Sequence, residues 1–366
     1  MAHSPNPSRS ESMTSTQDNK VLVLCTCDPS MKALGGFQWP QEGPIESPIW
    51  DPNPRSGKGL RGILWGEGEG ITLLMDRDAV WLVVEVAKVD MVLIRTTEVK
   101  FQKGTVVYSG GRGGAASYIK CRHKGSQLLI GDTQTVKSCQ VAVTGFGGTS
   151  TSGDLGQSFA GDMGTAVSHV RGKSYSGAFG ESIAGDYGLA VSGKRGKATA
   201  GKISMAMART DGEVKVGDQS MAMVDSFGTV QAGENSMAMG EASSKVLVGD
   251  HSYALSGAEG TSTSGAEGMS ITGPHGKAIA GPYSEAWAGV HGEVTVGNNS
   301  SAFVDMFGKA SAGVKGSLTF AWYDSDTSRT RYTTVYVGEG GILPDTLYKV
   351  TERGIVVLAS EQGGLT

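Results

Sequence analysis

Residues 154–201 read DLGQSFAG DMGTAVSH VRGKSYSG AFGESIAG DYGLAVSG KRGKATAG, six blocks of eight residues in one register. The register continues without insertion to MFGKASAG at residues 306–313. The eighth position is Gly at 16 of 21 sites from Gly153 to Gly313, and the third is Gly or Ser at all 22 sites from Gly148 to Gly316. A short period kept over this length indicates a repeat architecture.

Each block alternates small and large side chains. The fifth and seventh positions are small, as at Ser158 and Ala160, whereas the fourth and sixth carry the large or charged residues. Alternation with a period of two predicts a strand. We therefore expect one short strand per block and a turn of the form G-x-x-G, in which Gly and Ser supply a positive φ or a side-chain hydrogen bond.

A second period, two blocks long, sets the number of strands per coil. Large apolar residues occupy the fourth and sixth positions of alternate blocks, and Lys, Glu and Thr occupy those of the blocks between. This predicts a flattened β-solenoid with two strands per coil and about ten coils, a rod on the order of 50 Å long. Larger inward residues at Leu318 and Phe320 predict a cap.

The apolar set predicts an outward ladder, because the small residues already fill the interior. An uncovered patch of this size is near or above the upper end of what monomers expose, so we expect something to cover it. The candidates are another copy of the rod, the N-terminal domain, or a different molecule such as a hydrophobic partner or lipid, and we favour self-association. A homodimer is favoured, since flat identical faces are complementary about a two-fold axis. The ladder comprises Phe159, Tyr175, Val191, Met205, Met207, Met221, Met223, Met237, Met239, Tyr253, Leu255, Met269, Ile271, Trp287 and Phe303.

The opposite face predicts a solvated surface. Ice binding would require regular ranks of Thr, and Thr261 with Thr263 form one T-x-T pair while Thr199, Thr229 and Thr295 are isolated. The mixture of Lys, Glu and Thr is typical of an ordinary soluble surface.

Composition excludes several classes of protein. The 56 Gly in 366 residues are about twice the usual share, but collagen would need Gly at every third residue. The balance of 32 basic and 36 acidic residues gives no electrostatic footprint for nucleic acid or a membrane surface. Residues 1–20 lack the apolar core of a signal peptide. We therefore expect a cytoplasmic protein, or one in a virion or host cytoplasm if a phage encodes it.

Four regions follow from these patterns. Residues 1–20 are expected to be a disordered tail, 21–140 an α+β domain, 141–322 the solenoid and 323–366 a β meander that caps it. In the second region we expect strands at 79–86, 91–94, 99–101, 105–109 and 127–130, with a helix through AASYIKCRH at 115–123.

The α+β domain offers few groups for chemistry. Its long loop could form a ligand pocket with Trp39, Trp50, Arg61 and Trp65 as walls, or these side chains could be the domain's own core. The metal-ligating types are Cys25, Cys27, Cys121, His123 and Cys139, but C-x-C is not the C-x₂-C of a zinc knuckle. No catalytic motif is found, so no catalytic residue, cofactor or metal is predicted.

Two groups of proteins share the repeat pattern. The blocks KATAG at 197–201, SMAMG at 236–240 and SYALSG at 252–257 resemble the head repeats of trimeric autotransporter adhesins. Together with the tail segment ILPDTLYKV at 342–350, they are more similar to uncharacterised bacterial and phage proteins with octapeptide Ala/Ser/Gly repeats. That resemblance implies the same architecture and a bacterial or viral origin.

The function predicted from the sequence is that of a non-enzymatic structural or interaction protein. Its rod would self-associate through the apolar ladder, and its N-terminal domain would recognise an unknown protein partner. The alternatives are an enzyme, toxin or ligand-binding module displayed on the rod, an inhibitor of another protein in phage–host conflict, and an ice-binding protein.

Overall fold

A computed structural model describes residues 19–360 except 71, 77 and 124–127. The chain divides into two compact units, Met1–Thr133 with Thr144–Gly148, and Gln134–Val143 with Thr149–Thr366. The predicted disordered tail lies outside the described residues up to residue 18, and the domain bounds stay a prediction.

The first unit is built on one antiparallel sheet. Its strands are β1 (Lys20–Cys27), β2 (Gly43–Glu46), β3 (Leu60–Leu64), β4 (Val80–Ala87), β5 (Met91–Leu93), β6 (Glu98–Phe101) and β7 (Lys103–Gly110). They are ordered β2-β7-β4-β1-β3-β6-β5. A 3-10 turn at Lys88–Asp90 and one helix, α1 (Arg112–Arg122), complete the unit. The predicted β-rich fold with one short helix is confirmed.

Both faces of this sheet are covered, because β1 and β4 are apolar on both sides. Val23, Leu82 and Phe101 belong to the buried cluster on one face. Leu24, Trp81 and Ile119 belong to the cluster on the other, where α1 packs. The prediction of a strand at 127–130 is wrong for residues 128–130, which form no strand and have only an isolated bridge from Leu129 to Glu67. Residue 127 lies outside the described residues.

The second unit is the predicted solenoid, with two parallel stacks of strands extended by the cap. One sheet contains 14 strands. These are β8 (Thr133–Val136), β10 (Thr149–Ser152), β12 (Thr165–Ser168), β14 (Glu181–Ala184), β16 (Lys197–Ala200), β18 (Glu213–Val216), β20 (Thr229–Gln231), β22 (Lys245–Leu247), β24 (Thr261–Ser264), β26 (Lys277–Ala280), β28 (Glu293–Val296), β30 (Lys309–Ala312), β33 (Tyr348–Val350) and β34 (Val356–Leu358).

The second sheet contains 13 strands. These are β9 (Val141–Thr144), β11 (Gln157–Ala160), β13 (Lys173–Ser176), β15 (Leu189–Ser192), β17 (Met205–Ala208), β19 (Met221–Val224), β21 (Met237–Gly240), β23 (Tyr253–Ser256), β25 (Met269–Thr272), β27 (Glu285–Ala288), β29 (Ser301–Val304), β31 (Ser317–Asp324) and β32 (Arg329–Tyr336).

Successive coils stack in a register of two blocks, so Met221 lies beside Met237 and Ala222 beside Ala238. The fold prediction is confirmed, with about 12 coils instead of ten. The strand β8 lies before the predicted start of the solenoid at residue 141, because Lys137 and Gln140 occupy positions where later blocks carry Gly or Ser.

The interior is as thin as the small residues require. Ala190, Ala206 and Val214 are at most 1% exposed, and they form one continuous cluster along the coils. Inward Ser residues bond to backbone across the interior, as Ser158 does by donating to the carbonyl of Val167. Close packing and hydrogen bonds hold the coil together where side-chain bulk is small.

The turns differ from the expectation in one respect. The positive φ belongs to the second turn residue, which is not Gly at any of these positions from Leu155 to Lys315, as in Leu155 (φ 58°) and Phe227 (φ 64°). Its N–H donates to a carbonyl of the next coil, from Leu155 to Val170 at 2.9 Å. Such a bond is worth about 1 kcal/mol, which offsets a strained φ of similar cost.

The flanking Gly residues are needed for space. A Cβ on Gly193 would lie 2.6 Å from the backbone nitrogen of Ala178 in the preceding coil. Gly at the eighth position therefore permits coils to approach each other, and it does not supply the left-handed conformation.

The C-terminal cap closes the last coil. β31 and β32 form a hairpin paired from Ser317–Tyr336 to Asp324–Arg329, and β33 pairs antiparallel with β30. Leu318 and Phe320 are fully buried, with Val337, Ile342 and Tyr348 in the same cluster and the partly buried Val335 packed against it. The predicted small β cap is confirmed.

Candidate interaction surface

The outward residues of the 13-stranded sheet form one apolar face. Every residue predicted for the apolar ladder lies on strands β11 to β29 of this sheet, at positions that alternate with inward Ala, Ser, Val, Thr or Gly. Met205 is 38% exposed, Tyr253 49% and Trp287 43%. We call this surface the apolar face, defined by the ladder residues given above.

Parallel register makes the side chains of this face stack in two columns. Met205, Met221 and Met237 follow one another in one column, and Met207, Met223 and Met239 in the other. Aromatic pairs flank this block: the rings of Phe159 and Tyr175 stack at 4.8 Å, and those of Trp287 and Phe303 at 4.3 Å. Stacking leaves one side of each column free for a partner.

Two shallow depressions follow the face. One, of about 600 Å³, is lined by Met205, Met221 and Met237 together with turn residues such as Gln219 and Asn235.

The other depression, of about 510 Å³, is lined by Trp287, Phe303 and Tyr332 among others. Tyr332, on β32, was not predicted to belong to the face. The sequence signals a strand near it, but the pairing that sets Tyr332 opposite Ala321 depends on the hairpin turn.

The outward residues of the 14-stranded sheet form the polar face. Ion pairs join neighbouring coils there, with Lys197 3.3 Å from Glu213 and Lys277 2.7 Å from Glu293. Thr149 is in register with Thr165, and Thr151 lies on the same strand as Thr149. Thr149 and Thr151 form a second T-x-T pair, in addition to the one predicted at Thr261 and Thr263.

The acidic residues along one turn edge bond to protein backbone. Asp186 accepts the N–H of Lys202 at 2.8 Å, and Asp250 accepts that of Ala266 at 2.7 Å, each in the next coil. The side chain of Asp218 also bonds Lys202, which lowers the pKa of Asp218. Across the described residues no three His, Cys, Asp or Glu side chains are grouped to hold a metal ion.

The four residues predicted as pocket walls do not surround a single cavity. Trp39 and Arg61 line a cavity of about 560 Å³ in the first unit, with Phe37 and Leu60. The indole N–H of the buried Trp39 has no hydrogen-bond partner among the described residues. Trp50 lies instead 5.6 Å from the Lys100 ammonium, and Trp65 stacks on His123 at 4.1 Å.

The predicted metal-ligating residues are dispersed. Cys25 and Cys27 are buried on β1, whereas Cys121 and Cys139 are exposed, and Cys139 belongs to the second unit. Burial raises the pKa of the Cys27 thiol to about 11 and that of Cys25 further. These two thiols are therefore neutral at physiological pH. Among the described helices none is long and apolar enough to cross a membrane.

The fold and this surface define a class of protein, a repeat β-solenoid with one apolar and one polar face. Comparison with known proteins finds ice nucleation proteins. Over 104 residues the chain is 40% identical to one from Pseudomonas fluorescens, covering 28% of this chain and 9% of that protein. It is 41% identical over 101 residues to one from Xanthomonas campestris pv. translucens, covering 27% and 6%.

A third relative, ice nucleation protein InaU of Pantoea ananas, is 35% identical over 104 residues, covering 28% of this chain and 10% of that protein. The similarity falls in the repeat region. The chain thus spans about a tenth or less of the length of these curated relatives. No protein-family model and no solved structure matches it. The repeat solenoid is supported, while the resemblances to adhesin heads and to phage proteins stay predictions.

The expected cytoplasmic location is wrong. Ice nucleation proteins are bacterial surface proteins anchored in the outer membrane, and similarity to them contradicts that expectation.

Proposed function

We propose that the solenoid is a non-enzymatic interaction rod that self-associates through the apolar face. The observation that supports this is the continuity of half-exposed apolar side chains over ten successive strands, β11 to β29. The small interior residues leave these side chains no place inside the coil, so only another surface can remove them from water.

The size of the face fits a specific interface. Ten strands at about 4.8 Å and four residues at about 3.3 Å give roughly 600 Å² per partner. Two such faces bury roughly 1,200 Å², the lower end of the range for specific protein complexes. Methionine suits this surface because its flexible, polarisable side chain adapts to a partner.

The test is to replace Met207, Met223 and Met239 together with Lys and to measure the mass in solution by light scattering. We expect the wild type to be a dimer and the triple variant a monomer, because three ammonium groups would have to be desolvated on each side.

The matched control places Lys at equivalent positions of the polar face, as Thr199→Lys, Gln231→Lys and Thr263→Lys. This control should stay dimeric. A monomeric wild type, or a Met variant of unchanged mass, would contradict the proposal.

A second candidate function is contact with ice, which the similarity to ice nucleation proteins favours. On the polar face, Thr149 and Thr165 are registered neighbours, and both T-x-T pairs point outward. Parallel strands would space such hydroxyls about 4.8 Å apart between coils. The ranks are interrupted by Lys197, Glu213 and Lys245.

Droplet freezing separates the two functions. We expect ice contact to raise the median freezing temperature of droplets above that of buffer, and replacement of Thr149, Thr151, Thr261 and Thr263 by Lys to abolish the rise. The same measurement on the triple Met→Lys variant shows whether ice nucleation also requires self-association. Wild-type droplets that freeze with buffer would exclude ice nucleation by the isolated chain.

A further inference from the structure

We propose that the apolar face pairs with a second copy of the chain in antiparallel orientation, in a register set by ion pairs between Lys173 and Glu285 of the partner subunit. This inference rests on the self-association proposed above and specifies its geometry. It makes Lys173 and Glu285 the residues that select the partner's direction and alignment.

Two opposite charges stand on an otherwise uncharged surface. Among the outward residues of β9 to β29, only Lys173 and Glu285 carry a charge. Both side chains are exposed, and neither has an ion-pair partner within the described part of the chain. Elsewhere on the solenoid, ion pairs join residues one coil apart, as in Lys197 with Glu213 and Lys202 with Asp218.

Their neighbours explain why Lys173 and Glu285 cannot be paired in that way. Lys173 is in register with Gln157 and Leu189, and Glu285 with Met269 and Ser301. No opposite charge therefore lies one coil away on the face. Leaving a charge unpaired in a buried apolar contact is expensive, so an interface here must provide a partner for each.

The midpoint between these two charges lies within the run of Met residues on β17, β19 and β21. Lys173 begins β13 and Glu285 begins β27, so they share one column and lie seven coils apart. Their midpoint falls between β19 and β21, between Met221 and Met237. A two-fold axis that lies there, parallel to the strands, reverses the coil order and keeps each column opposite itself. Lys173 then faces Glu285 of the partner subunit, and the pair occurs twice.

The same operation matches the rest of the face. The Phe159–Tyr175 stack comes opposite the partner's stack of Trp287 and Phe303, and Met221 comes opposite Met237 of the partner subunit. Aromatic ends thus meet aromatic ends, and the Met residues of β19 and β21 meet each other. Met205 and Met207 come opposite Tyr253 and Leu255 of the partner subunit. An isologous interface requires this kind of self-complementarity.

Other arrangements leave both charges unmatched. A two-fold axis parallel to the rod would put Lys173 opposite Tyr175 of the partner subunit and Glu285 opposite Trp287 of the partner subunit. An antiparallel pair displaced by one coil would put Lys173 against Met269 or Ser301 of the partner subunit. Electrostatic complementarity sets register more effectively than it adds affinity, which is the role proposed for these residues.

Charge exchange tests the pairing. Lys173→Glu places a carboxylate against Glu285 of the partner subunit twice, and Glu285→Lys gives the opposite repulsion. We expect each single variant to lose more than tenfold in dimer affinity by sedimentation equilibrium. An equimolar mixture of the two variants restores both pairs in a heterodimer, whose affinity should lie within about threefold of the wild type. The double variant Lys173→Glu with Glu285→Lys should also dimerise normally.

A check of folding and a comparison with the triple Met→Lys variant distinguish failure of this pairing from failure of self-association. Each variant should keep the wild-type circular dichroism and melting temperature, because neither residue forms an ion pair within the described part of its own chain. If the wild type dimerises and the triple Met→Lys variant does not, but the charge variants behave like the wild type, self-association stands and this pairing is overturned. A mixture that stays monomeric also overturns the pairing. A monomeric wild type overturns both proposals.

Discussion

Replacing Gly193 with Ala should destabilise the solenoid around that turn by about 2–4 kcal/mol. Gly193 ends the block that contains β15, and its N–H is shared between the carbonyls of Ser176 and Gly177, each at 3.1 Å. The new methyl would lie 2.6 Å from the nitrogen of Ala178 and from the carbonyl carbon of Gly177. Both are backbone atoms, so no side chain can rotate away to make room.

The magnitude follows from the separation needed to relieve this contact. Ordinary contacts begin near 3.4 Å, so the two turns must part by about 1 Å. At that separation the shared N–H no longer reaches either carbonyl, which costs about 1 kcal/mol. Overpacking typically costs a further 1–3 kcal/mol. In a repeat protein this loss is confined to the interface between neighbouring coils.

Native-state hydrogen exchange measures the effect directly, and the amides of β13 and β15 should exchange faster in the variant. The control is Asp225→Ala, at the equivalent position of a later block that already carries a Cβ. There the N–H bonds to one carbonyl only, that of Ala208 at 3.3 Å, so the turn already accommodates a side chain. Unchanged exchange in Gly193→Ala, or an equal loss in Asp225→Ala, would refute the steric explanation.

Three further predictions concern other parts of the chain. Iodoacetamide at pH 8 should alkylate the exposed Cys121 and Cys139 and spare Cys25 and Cys27, because burial raises the pKa of these two thiols. Mass spectrometry of tryptic peptides measures this, and alkylation of Cys25 or Cys27 would contradict it. The pKa of Asp324 is lowered to about 2, chiefly by the hydroxyl of Thr327 and by Arg331. The ionised Asp324 side chain therefore stabilises the hairpin fully above its ordinary pKa near 3.8, and this stabilisation is lost as the pH falls through 2. Amide exchange in β32 should therefore accelerate as pH falls over that range, relative to the intrinsic rates, and Asp324→Asn should remove the dependence. Lys100→Met should expose the loop at 51–58 to proteolysis, because the buried ammonium bonds the carbonyls of Asn53 and Ser56; cleavage no faster than in wild type would contradict this role.

The solenoid could be predicted because its constraints are periodic. Inward residues such as Ala206 and outward residues such as Met207 alternate at every strand, and one error of register would place Met in the thin interior. The direction of the apolar face follows from the same alternation. This is why every residue of the predicted ladder lies on the outward side of one sheet, although Leu189 and Tyr332 were not included in it.

Features that depend on contacts between distant segments could not be predicted from the periodic sequence pattern. The left-handed conformation of Phe227 is supported by a backbone bond to Ala242 in the next coil, and Phe itself gives no sign of it. Tyr332 reaches the face through the register of a hairpin. Trp39 and Trp50 occupy different surroundings because Lys100, buried on β6, holds the loop around Trp50.

The backbone bonds between turns also bear on how the length of the rod can change. Each coil offers its neighbour nearly the same donors and acceptors, so removal or duplication of two consecutive blocks would join two compatible surfaces. Unequal exchange between repeats could therefore lengthen or shorten the rod in steps of about 4.8 Å with little cost to folding. The outward charged residues would then restrict pairing to rods in which their spacing is the same. A gain or loss of one coil between Lys173 and Glu285 would shift their spacing by one step, and a short and a long rod would no longer fit each other.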